Sequence, residues 1–213
     1  MIKPMLAYKV DKKPVDWSEK VFMQPKLDGV RCVISKDGAF SRTGKPWLNI
    51  DHILSSLVPV FAEYPDLILD GELYNHELKS DFEKIISLVR KTKPKATDRV
   101  ESCDLVQFHC YDYIDTSATF EQRMKFLSTA ALYSYCVKYV STFPVATRDL
   151  ANAIHENWLD EGYEGSILRL NGVYECKRSY NLQKFKDFHD TEATIVGYVP
   201  GKGKFTGLIG KFL

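Results

Sequence analysis

The chain has 213 residues and a nearly balanced formal charge, with 29 Lys and Arg residues against 28 Asp and Glu residues. Hydrophobic residues make up 45% of it and aromatic residues 13%, enough for a substantial core, which argues against a disordered chain. The length predicts one domain, or one domain with a small appendage. No apolar run is long enough to cross a bilayer and no export signal is recognisable, so no membrane contact is expected.

The cysteines and histidines exclude some classes of site. Five cysteines occur without a C-x-x-C spacing, and this odd number predicts free thiols in a reducing compartment, the cytoplasm or the nucleus. The five histidines show neither H-x-H nor H-x-x-x-H spacing. No zinc site or histidine-based metal site is therefore predicted.

Positive charge is concentrated near the C-terminus. Residues 176–213 hold seven Lys or Arg residues against three acidic residues, a balance of +4, so residues 1–175 carry −3. This distribution fits an anionic partner, such as a nucleic acid backbone or nucleotide phosphates. A solvated surface explains the charge equally well.

The first half of the chain predicts strands and two helices. Strands are predicted at 21–26 and 30–35, with a hairpin turn at 36–38 leading into a strand at 39–43. Asp51 is predicted to cap a helix that Pro59 bends or shortens. A strand at 67–75 follows, and a capping box of Ser80 and Glu83 predicts a short helix. Residues 90–99 contain five basic residues and are interpreted as a solvated turn in preference to a nucleic-acid contact.

The second half alternates single helices with strands. A buried strand is predicted at 104–114, and helices are predicted to start after Thr119 and Thr147. Strands at 166–170 and 173–177 are predicted to form a hairpin around an Asn-Gly turn. Two more strands, at 191–199 and 206–213, flank a basic glycine-rich loop. Clustered strands with single helices predict an α+β fold with largely antiparallel sheets.

The segment "QPKLDGVR", residues 24–31, places Lys26 between two predicted strands. A lysine amine attacks only when it is neutral, and burial or nearby cations such as Arg31 favour the neutral form. Gly29 lets the backbone turn tightly, so that the flanking groups can face one ligand. By itself this pattern more often marks a surface turn than a site.

Further charged residues lie at strand ends along the chain. They are Arg42 in "SRTG", Glu72 in "DGEL", Asp112 beside Tyr111 in "CYDY", Glu164 and Arg169 in "EGSILR", and Lys184 and Lys186 in "KFK". An unpaired carboxylate inside an apolar strand, as at Asp112, would be costly. Basic residues together with two separated carboxylates could converge on a polyphosphate and its divalent metal.

These segments, in this order, resemble the nucleotidyltransferase domain of ATP-dependent DNA ligases, especially the compact viral and bacteriophage type. The resemblance covers residues 4 to about 213, and the ordered set is far more specific than any of its members. It implies a covalent nucleotidyltransferase fold, in which two largely antiparallel sheets flanked by helices enclose a nucleotide cleft.

The resemblance implies a set of ATP contacts. Lys26 matches the nucleophile that attacks the α-phosphorus of ATP and becomes lysyl-AMP. Glu72 and Glu164 match the acids that serve the ribose and the metal, Mg²⁺ or Mn²⁺. The other matching positions are Gln24 at the adenine amino group, Arg31 and Arg42 at the ribose and later the 5′-phosphate, Tyr111 stacked on adenine, and Lys184 and Lys186 at the α-phosphate.

The resemblance also implies a nicked duplex DNA as partner, with no obligate protein partner evident. AMP would pass to the 5′-phosphate of the nick, and the 3′-hydroxyl would then displace it, in DNA replication, repair or recombination. Asp28 is expected near the 3′-hydroxyl, and Arg42, Lys202 and Lys204 near the DNA. The expected location is the cytoplasm, that of the host for a viral protein, or a eukaryotic nucleus.

The relatives follow this domain with an oligonucleotide-binding (OB) barrel of five strands. Residues 1–188 are predicted to form the adenylation domain and residues 189–213 the first strands of an incomplete OB-fold. The chain is therefore expected to bind ATP better than it seals nicks. An RNA ligase, an mRNA-capping guanylyltransferase and a non-catalytic nucleic-acid-binding relative are the alternatives.

Overall fold

The computed structural model describes residues 3–130, 133–185 and 194–212. Within these residues, two five-stranded sheets and five α-helices form an α+β fold, and a separate two-stranded hairpin follows. None of the described helices has the length and apolar character needed to cross a bilayer. The two sheets are largely antiparallel, which confirms the predicted fold class.

The first sheet has the strand order β1-β10-β9-β2-β8. Its strands are β1 (Leu6–Lys9), β2 (Val21–Lys26), β8 (Phe143–Val145), β9 (Gly165–Leu170) and β10 (Arg178–Phe185). All pairs are antiparallel except β1 with β10. The central pair of β2 and β9 places Lys26 opposite Gly165 at one end of the sheet.

The second sheet has the order β4-β3-β5-β6-β7. Its strands are β3 (Val30–Ser35), β4 (Gly38–Phe40), β5 (Leu69–Tyr74), β6 (Gln107–Tyr113) and β7 (Val137–Tyr139). Only β6 and β7 are parallel to each other. The hairpin consists of β11 (Tyr198–Pro200) and β12 (Ile209–Phe212). Two strands were expected here, at 191–199 and 206–213, but residues 194–197 are not strand, and residues 191–193 lie outside the described residues.

The helices cover the sheets and carry most of the remaining core residues. They are α1 (Asp51–Glu63), α2 (Phe82–Val89), α3 (Ala96–Leu105), α4 (Phe120–Thr129) and α5 (Arg148–Asp160). The larger core cluster joins the second sheet to α1, α2 and α4, through buried residues such as Ile53, Leu88 and Phe120. A smaller cluster packs α5 against the first sheet, with Trp158 at its centre.

Two of the predicted helix starts are confirmed in detail. Thr119 Oγ1 accepts a hydrogen bond from Gln122 N, and Thr119 N donates one to Gln122 Oε1. Thr147 caps α5 in the same way through Leu150 N, at 3.2 Å. Helix α5 ends two residues before Gly162, which has φ +91° and lets the chain reverse.

Other predicted boundaries are wrong by one or a few residues. Ile50, and not Asp51, is the cap of α1, and Asp81 rather than Ser80 caps α2 by accepting from Lys84 N. Helix α1 continues past Pro59. In a regular helix the backbone N–H of residue 59 would bond the carbonyl of Ser55, and both residues lie on the exposed side. Water can satisfy the carbonyl that the proline cannot bond.

Two predictions for the sheets are wrong. The strand after the first turn ends at Phe40, so Arg42 lies in the following turn. Residues 173–177 form no strand, and β9 pairs instead with Arg178–Phe185. The reason is Tyr174, which leaves the sheet to bury its ring against the core. Short strands β1, β7 and β8 and helix α3 were not predicted.

A buried charge network joins the two sheets. Asp112 on β6 is fully buried and accepts two hydrogen bonds from Arg123, Nε to Oδ1 at 2.7 Å and Nη2 to Oδ2 at 3.1 Å. Arg169 on β9 of the first sheet donates from Nη1 to Asp112 Oδ2 at 2.9 Å. The carboxylate is thus paired with two buried guanidinium groups, which confirms that a charge inside this strand needs partners.

We predict that Asp112→Ala lowers the free energy of unfolding by about 3–5 kcal/mol, because it leaves two arginines buried without their counter-ion. Urea unfolding followed by circular dichroism measures this loss. Asp37→Ala, in the exposed turn after β3, is the matched control and should change stability by less than about 0.5 kcal/mol. Equal losses in the two variants would contradict the proposed importance of the network.

Candidate active site

A cavity of about 210 Å³ lies where the two sheets meet. Strands β2, β9 and β10 of the first sheet and β3, β5 and β6 of the second sheet contribute to its walls. Seven of the nine ATP contacts that the resemblance implied line it: Gln24, Lys26, Arg31, Glu72, Tyr111, Glu164 and Lys184. Asp28 also lines it, with an exposed side chain at the rim.

Lys26 is the last residue of β2, at the point where β2 and β9 separate. Its Nζ forms an ion pair with Glu164 Oε2, and the two side chains are 23% and 22% exposed. Glu164 N also donates to Lys26 O at 3.2 Å, so backbone and side chain both hold this pair together. The amine and the carboxylate therefore face the cavity side by side and remain accessible to a ligand.

Gly29 fixes the loop that follows Lys26. A Cβ at this position would lie 2.5 Å from Glu72 Cγ and 2.6 Å from Leu73 O. Any side chain would thus push the loop away from β5. This close approach brings the end of β2 and the centre of β5 to the same cavity, as the glycine in "KLDGVR" predicted.

Arg31 is held by Asp70, which the sequence analysis did not single out. The guanidinium donates from Nε to Asp70 Oδ1 at 2.6 Å and from Nη2 to Oδ2 at 2.5 Å. Nη2 also donates to Met5 O at 3.1 Å, and Tyr174 Oη donates to Asp70 Oδ2 at 2.7 Å. This geometry gives Arg31 a fixed orientation before any ligand binds.

Glu72 lies in the middle of β5, two residues before the end of the strand, and shares the cavity wall with Tyr111. Tyr111 Oη donates to Glu72 Oε2 at 3.3 Å. Burial raises the pKa of Glu72 to about 7, against the opposing attraction of Arg31 and Lys26. Burial also raises the pKa of the Tyr111 phenol well above its usual value. Near neutral pH the Glu72 carboxyl can therefore change its charge.

The side chain of Gln24 is buried and fully oriented. Its Nε2 donates to Tyr111 O at 3.0 Å and to Thr142 Oγ1 at 2.9 Å. Arg169 Nε donates to Gln24 Oε1 at 2.9 Å. An arginine can only donate, so Oε1 must be the atom facing it, and one lone pair of Oε1 remains for a ligand.

Two arginines lie near the Tyr111 ring on the cavity wall. The guanidinium carbons of Arg31 and Arg169 are 5.2 Å and 5.3 Å from its centroid. Ile167, which the sequence analysis missed, also lines the cavity. Ile167 lies on β9, three residues after Glu164. Its neighbours Ser166 and Leu168 are buried on the other face of the strand, and this alternation is the signal that could have placed Ile167 on the cavity side.

Arg42 and Lys202, two of the other predicted contacts, do not line the cavity. Arg42 is exposed in the turn after β4 and lines a neighbouring groove that shares Arg31 with the cavity. Lys202 is exposed in the loop between β11 and β12. Lys186 and the side chain of Lys204 lie outside the described residues. The contacts of Lys186 with a phosphate and of Lys202 and Lys204 with DNA stay predictions.

No group of three or more acidic, histidine or cysteine side chains in the described ranges could hold a metal by itself. Glu72 and Glu164 both line the cavity and offer the hard oxygen ligands that Mg²⁺ prefers. Mg²⁺ usually binds through one or two carboxylates together with substrate phosphates. Two carboxylates beside a cationic cavity fit that pattern.

The comparisons with known proteins identify the family. A model of the ATP-dependent DNA ligase domain matches residues 4–186, and the chain belongs to that family. It is 26% identical to the DNA ligase of Enterobacteria phage T4, over 92% of this chain and 50% of that protein. It is 30% identical to the DNA ligase of African swine fever virus, over 98% of this chain and 52% of that protein.

The chain therefore spans about half the length of these curated relatives. A solved structure of a Lig E DNA ligase superposes with a TM-score of 0.78 at 24% identity, covering 100% of this chain and 79% of that chain. This likeness shows that the fold is shared.

The raised pKa of Glu72 predicts a pH-dependent stability. The folded state keeps a proton that the unfolded state loses between pH 4.5 and 7, so this stabilisation is complete below pH 4.5 and is lost as the pH rises through 7. Urea unfolding should show that wild type loses about 2 kcal/mol relative to Glu72→Gln between pH 4.5 and 7.5. Parallel stability curves for the two proteins would refute the assignment.

Proposed function

We propose that the chain is the adenylation domain of an ATP-dependent DNA ligase, in which Lys26 forms a covalent bond to AMP. The observation that carries this proposal is the position of the Lys26 amine, which faces a cavity walled by cations and is paired with Glu164. A cavity with a nucleophilic amine, basic side chains and two carboxylates fits attack on a nucleoside triphosphate.

In the first step Lys26 Nζ, after losing a proton, attacks the α-phosphorus of ATP. The Nζ–P bond forms as the bond from that phosphorus to the bridging oxygen breaks, and pyrophosphate leaves with the electron pair. Before the attack, the ion pair with Glu164 holds the amine at the end of β2, where β2 and β9 separate. The phosphoramidate conserves the activation for the later transfer.

Cations on the cavity wall support this step. Arg31 is fixed by Asp70 and Lys184 projects from β10 into the cavity lining. Phosphoryl transfer depends on in-line positioning and on neutralising charge at the phosphate oxygens. Side chains that are already oriented provide this stabilisation without reorganisation during the reaction.

Glu72 and Glu164 are the residues that would hold Mg²⁺ or Mn²⁺ together with the phosphates of ATP. When bound, the metal would stabilise negative charge on the α-phosphate. The oxygen ligands and their place on the cavity wall support this assignment.

The orientation of Gln24 supports recognition of adenine. Its Oε1 is held as an acceptor by Arg169, so it can accept a hydrogen bond from the exocyclic amino group of adenine. Guanine carries a carbonyl oxygen at the corresponding position. Two acceptors would then face each other, and no hydrogen bond could form. Tyr111 and Ile167 offer flat and apolar surfaces for the base.

The later steps follow from the chemistry of lysyl-AMP. AMP would pass to the 5′-phosphate of nicked DNA, and the 3′-hydroxyl would displace AMP to seal the strand. We place Asp28 near the 3′-hydroxyl and Arg42, Lys202 and Lys204 at the DNA. The hairpin of β11 and β12 would supply the first strands of an OB-fold. The five free cysteines support a reducing compartment, the cytoplasm or the nucleus.

We predict that Lys26→Ala abolishes covalent labelling by [α-³²P]ATP, because it removes the amine that Glu164 holds at the end of β2. Labelling is measured on denaturing gels, and mass spectrometry locates the adduct. Lys20→Ala removes an exposed lysine that pairs with Glu121 and should leave labelling unchanged. Persistent labelling of the Lys26→Ala protein would refute the assignment of the nucleophile.

Parallel labelling with [α-³²P]GTP separates this proposal from a capping guanylyltransferase. ATP should label the wild-type chain and GTP should not, since Gln24 Oε1 accepts from an amino group. Preferential labelling by GTP would support the alternative. A chain that binds nicked DNA but is labelled by neither nucleotide would be a non-catalytic relative.

We predict that residues 1–213 by themselves form lysyl-AMP faster than they seal a DNA nick, because the described residues after β10 contain only the hairpin of β11 and β12 and not the five strands of an OB barrel. Lysyl-AMP formation and sealing of a nicked duplex are measured in the same preparation. Nicks with ribonucleotides on one or the other side test the RNA ligase alternative. Sealing that keeps pace with lysyl-AMP formation would contradict this prediction.

A further inference from the structure

A groove of about 540 Å³ lies beside the cavity and is called here the basic groove. It lies between the loop of residues 41–47, which follows β4, and residues 89–92, which start at the last residue of helix α2. Arg31 lines both the cavity and the basic groove. A polymer that leaves the cavity on this side would therefore enter the groove directly.

The lining of the basic groove carries only one sign of charge. Its five charged residues are Arg31, Arg42, Lys45, Arg90 and Lys91, and none of the described lining residues is acidic. The whole chain has a formal charge of only +1, so this clustering does not reflect a generally basic surface. Such a concentration of cations in a concave surface attracts a polyanion.

Three of these cations are available to a ligand. Arg31 is paired with Asp70, and Lys91 with Asp98 at 2.6 Å. Arg42, Lys45 and Arg90 are exposed and have no carboxylate partner among the residues that the structure describes. They come from two separate segments and still converge on one groove.

The loop that carries two of these cations is held in a defined shape. Ser41 N donates to Lys45 O at 2.8 Å, and Lys45 N donates to Ser41 Oγ at 3.0 Å. Trp47 N donates to Ala39 O at 3.0 Å, which anchors the end of the loop to β4. Lys45 therefore projects from an ordered turn.

We propose that the basic groove binds the phosphodiester backbone of the DNA strand that carries the 5′-phosphate, with Lys45 and Arg90 contacting phosphates beyond the terminal one. This inference rests on the proposed function. Transfer of AMP from Lys26 requires that the 5′-phosphate reach the cavity, so the next phosphates of that strand must leave it. The groove that shares Arg31 with the cavity offers cations along that route.

The C-terminal position of Arg90 on helix α2 does not explain the groove. A cation at a helix C-terminus interacts favourably with the helix dipole, and this accounts for Arg90 alone. It gives no reason for Lys45 of another segment to line the same depression. A shared anionic ligand accounts for both residues.

The test measures binding of the full chain to a nicked duplex over a range of salt concentrations. Lys45→Glu and Arg90→Glu should each weaken binding about tenfold and lower the salt slope by about one, the value expected for one phosphate contact. Lys36→Glu is the matched control, since Lys36 is exposed in the turn between β3 and β4, outside the groove. Thermal unfolding of each variant verifies that it is folded.

Neutral methylphosphonate linkages locate the contact on the DNA. Placed next to the 5′-phosphate, they should weaken binding of wild type but have little further effect on Arg90→Glu, because that contact is already lost. The same linkages on the 3′-hydroxyl side should weaken both proteins equally. A selective effect on the 3′-hydroxyl side would overturn the strand assignment.

Wild-type affinity and salt slope in both groove variants, or an equal loss in Lys36→Glu, would overturn the proposal. Absence of any binding by the wild-type chain would overturn it as well. Labelling of wild type by [α-³²P]ATP is measured on the same preparation. Labelled wild type with unaffected groove variants refutes the groove alone, whereas unlabelled wild type refutes the proposed function.

Discussion

The ion pair between Arg169 of the first sheet and Asp112 of the second sheet is the interaction on which the site depends. It is fully buried, and Arg123 completes the neutralisation of the carboxylate. Arg169 also donates to Gln24, so the same side chain that joins the sheets fixes a polar group of the cavity. Fold and site are therefore coupled through one guanidinium group, and disturbing the packing between the sheets would disturb the cavity too.

The two carboxylates of the cavity have different environments although both belong to glutamates. Glu164 lies against the Lys26 amine at the accessible end of β9, whereas Glu72 is set into the wall beside Tyr111. Burial raises the pKa of Glu72 to about 7. An incoming cation would thus release a proton from Glu72 near neutral pH, and such a proton release links ligand binding to pH.

Sequence motifs indicated residues that the structure brings to one cavity, whereas they gave no strand order for either sheet. Lys26, Glu72 and Glu164 could be found because each lies in a short glycine-containing motif. Lys26 ends β2 and Glu164 precedes β9, as strand-end motifs indicate, but Glu72 lies within β5 and not at its end. Asp70 and Tyr174 could not be found in this way, because their roles arise from a hydrogen bond between residues 104 positions apart. Ile167 shows the same limit. The alternation of side chains along β9 indicates which face of the sheet Ile167 is on, but it does not indicate that this face lines the cavity.

The errors in the fold also have physical causes. Helix α3 has few apolar residues and begins where Asp98 accepts from Lys95 N, so its sequence reads as a charged loop. Residues 173–177 have strand-like composition, yet Tyr174 gains more by burying its ring and bonding Asp70 than by extending a hairpin. A local cap thus starts α3, whereas for residues 173–177 a tertiary contact overrides the local strand preference.

Strand β1 gives the cavity an unusual folding requirement. Leu6 and Ala7 line the cavity, and β1 is held there by β10, with Leu6 opposite Arg178. Contacts between residues so distant in sequence form slowly, since a long loop must close first. During synthesis on a ribosome, the cavity can be completed only after β10 has emerged, so a nascent chain that stops short of β10 would have both sheets begun but no finished nucleotide site.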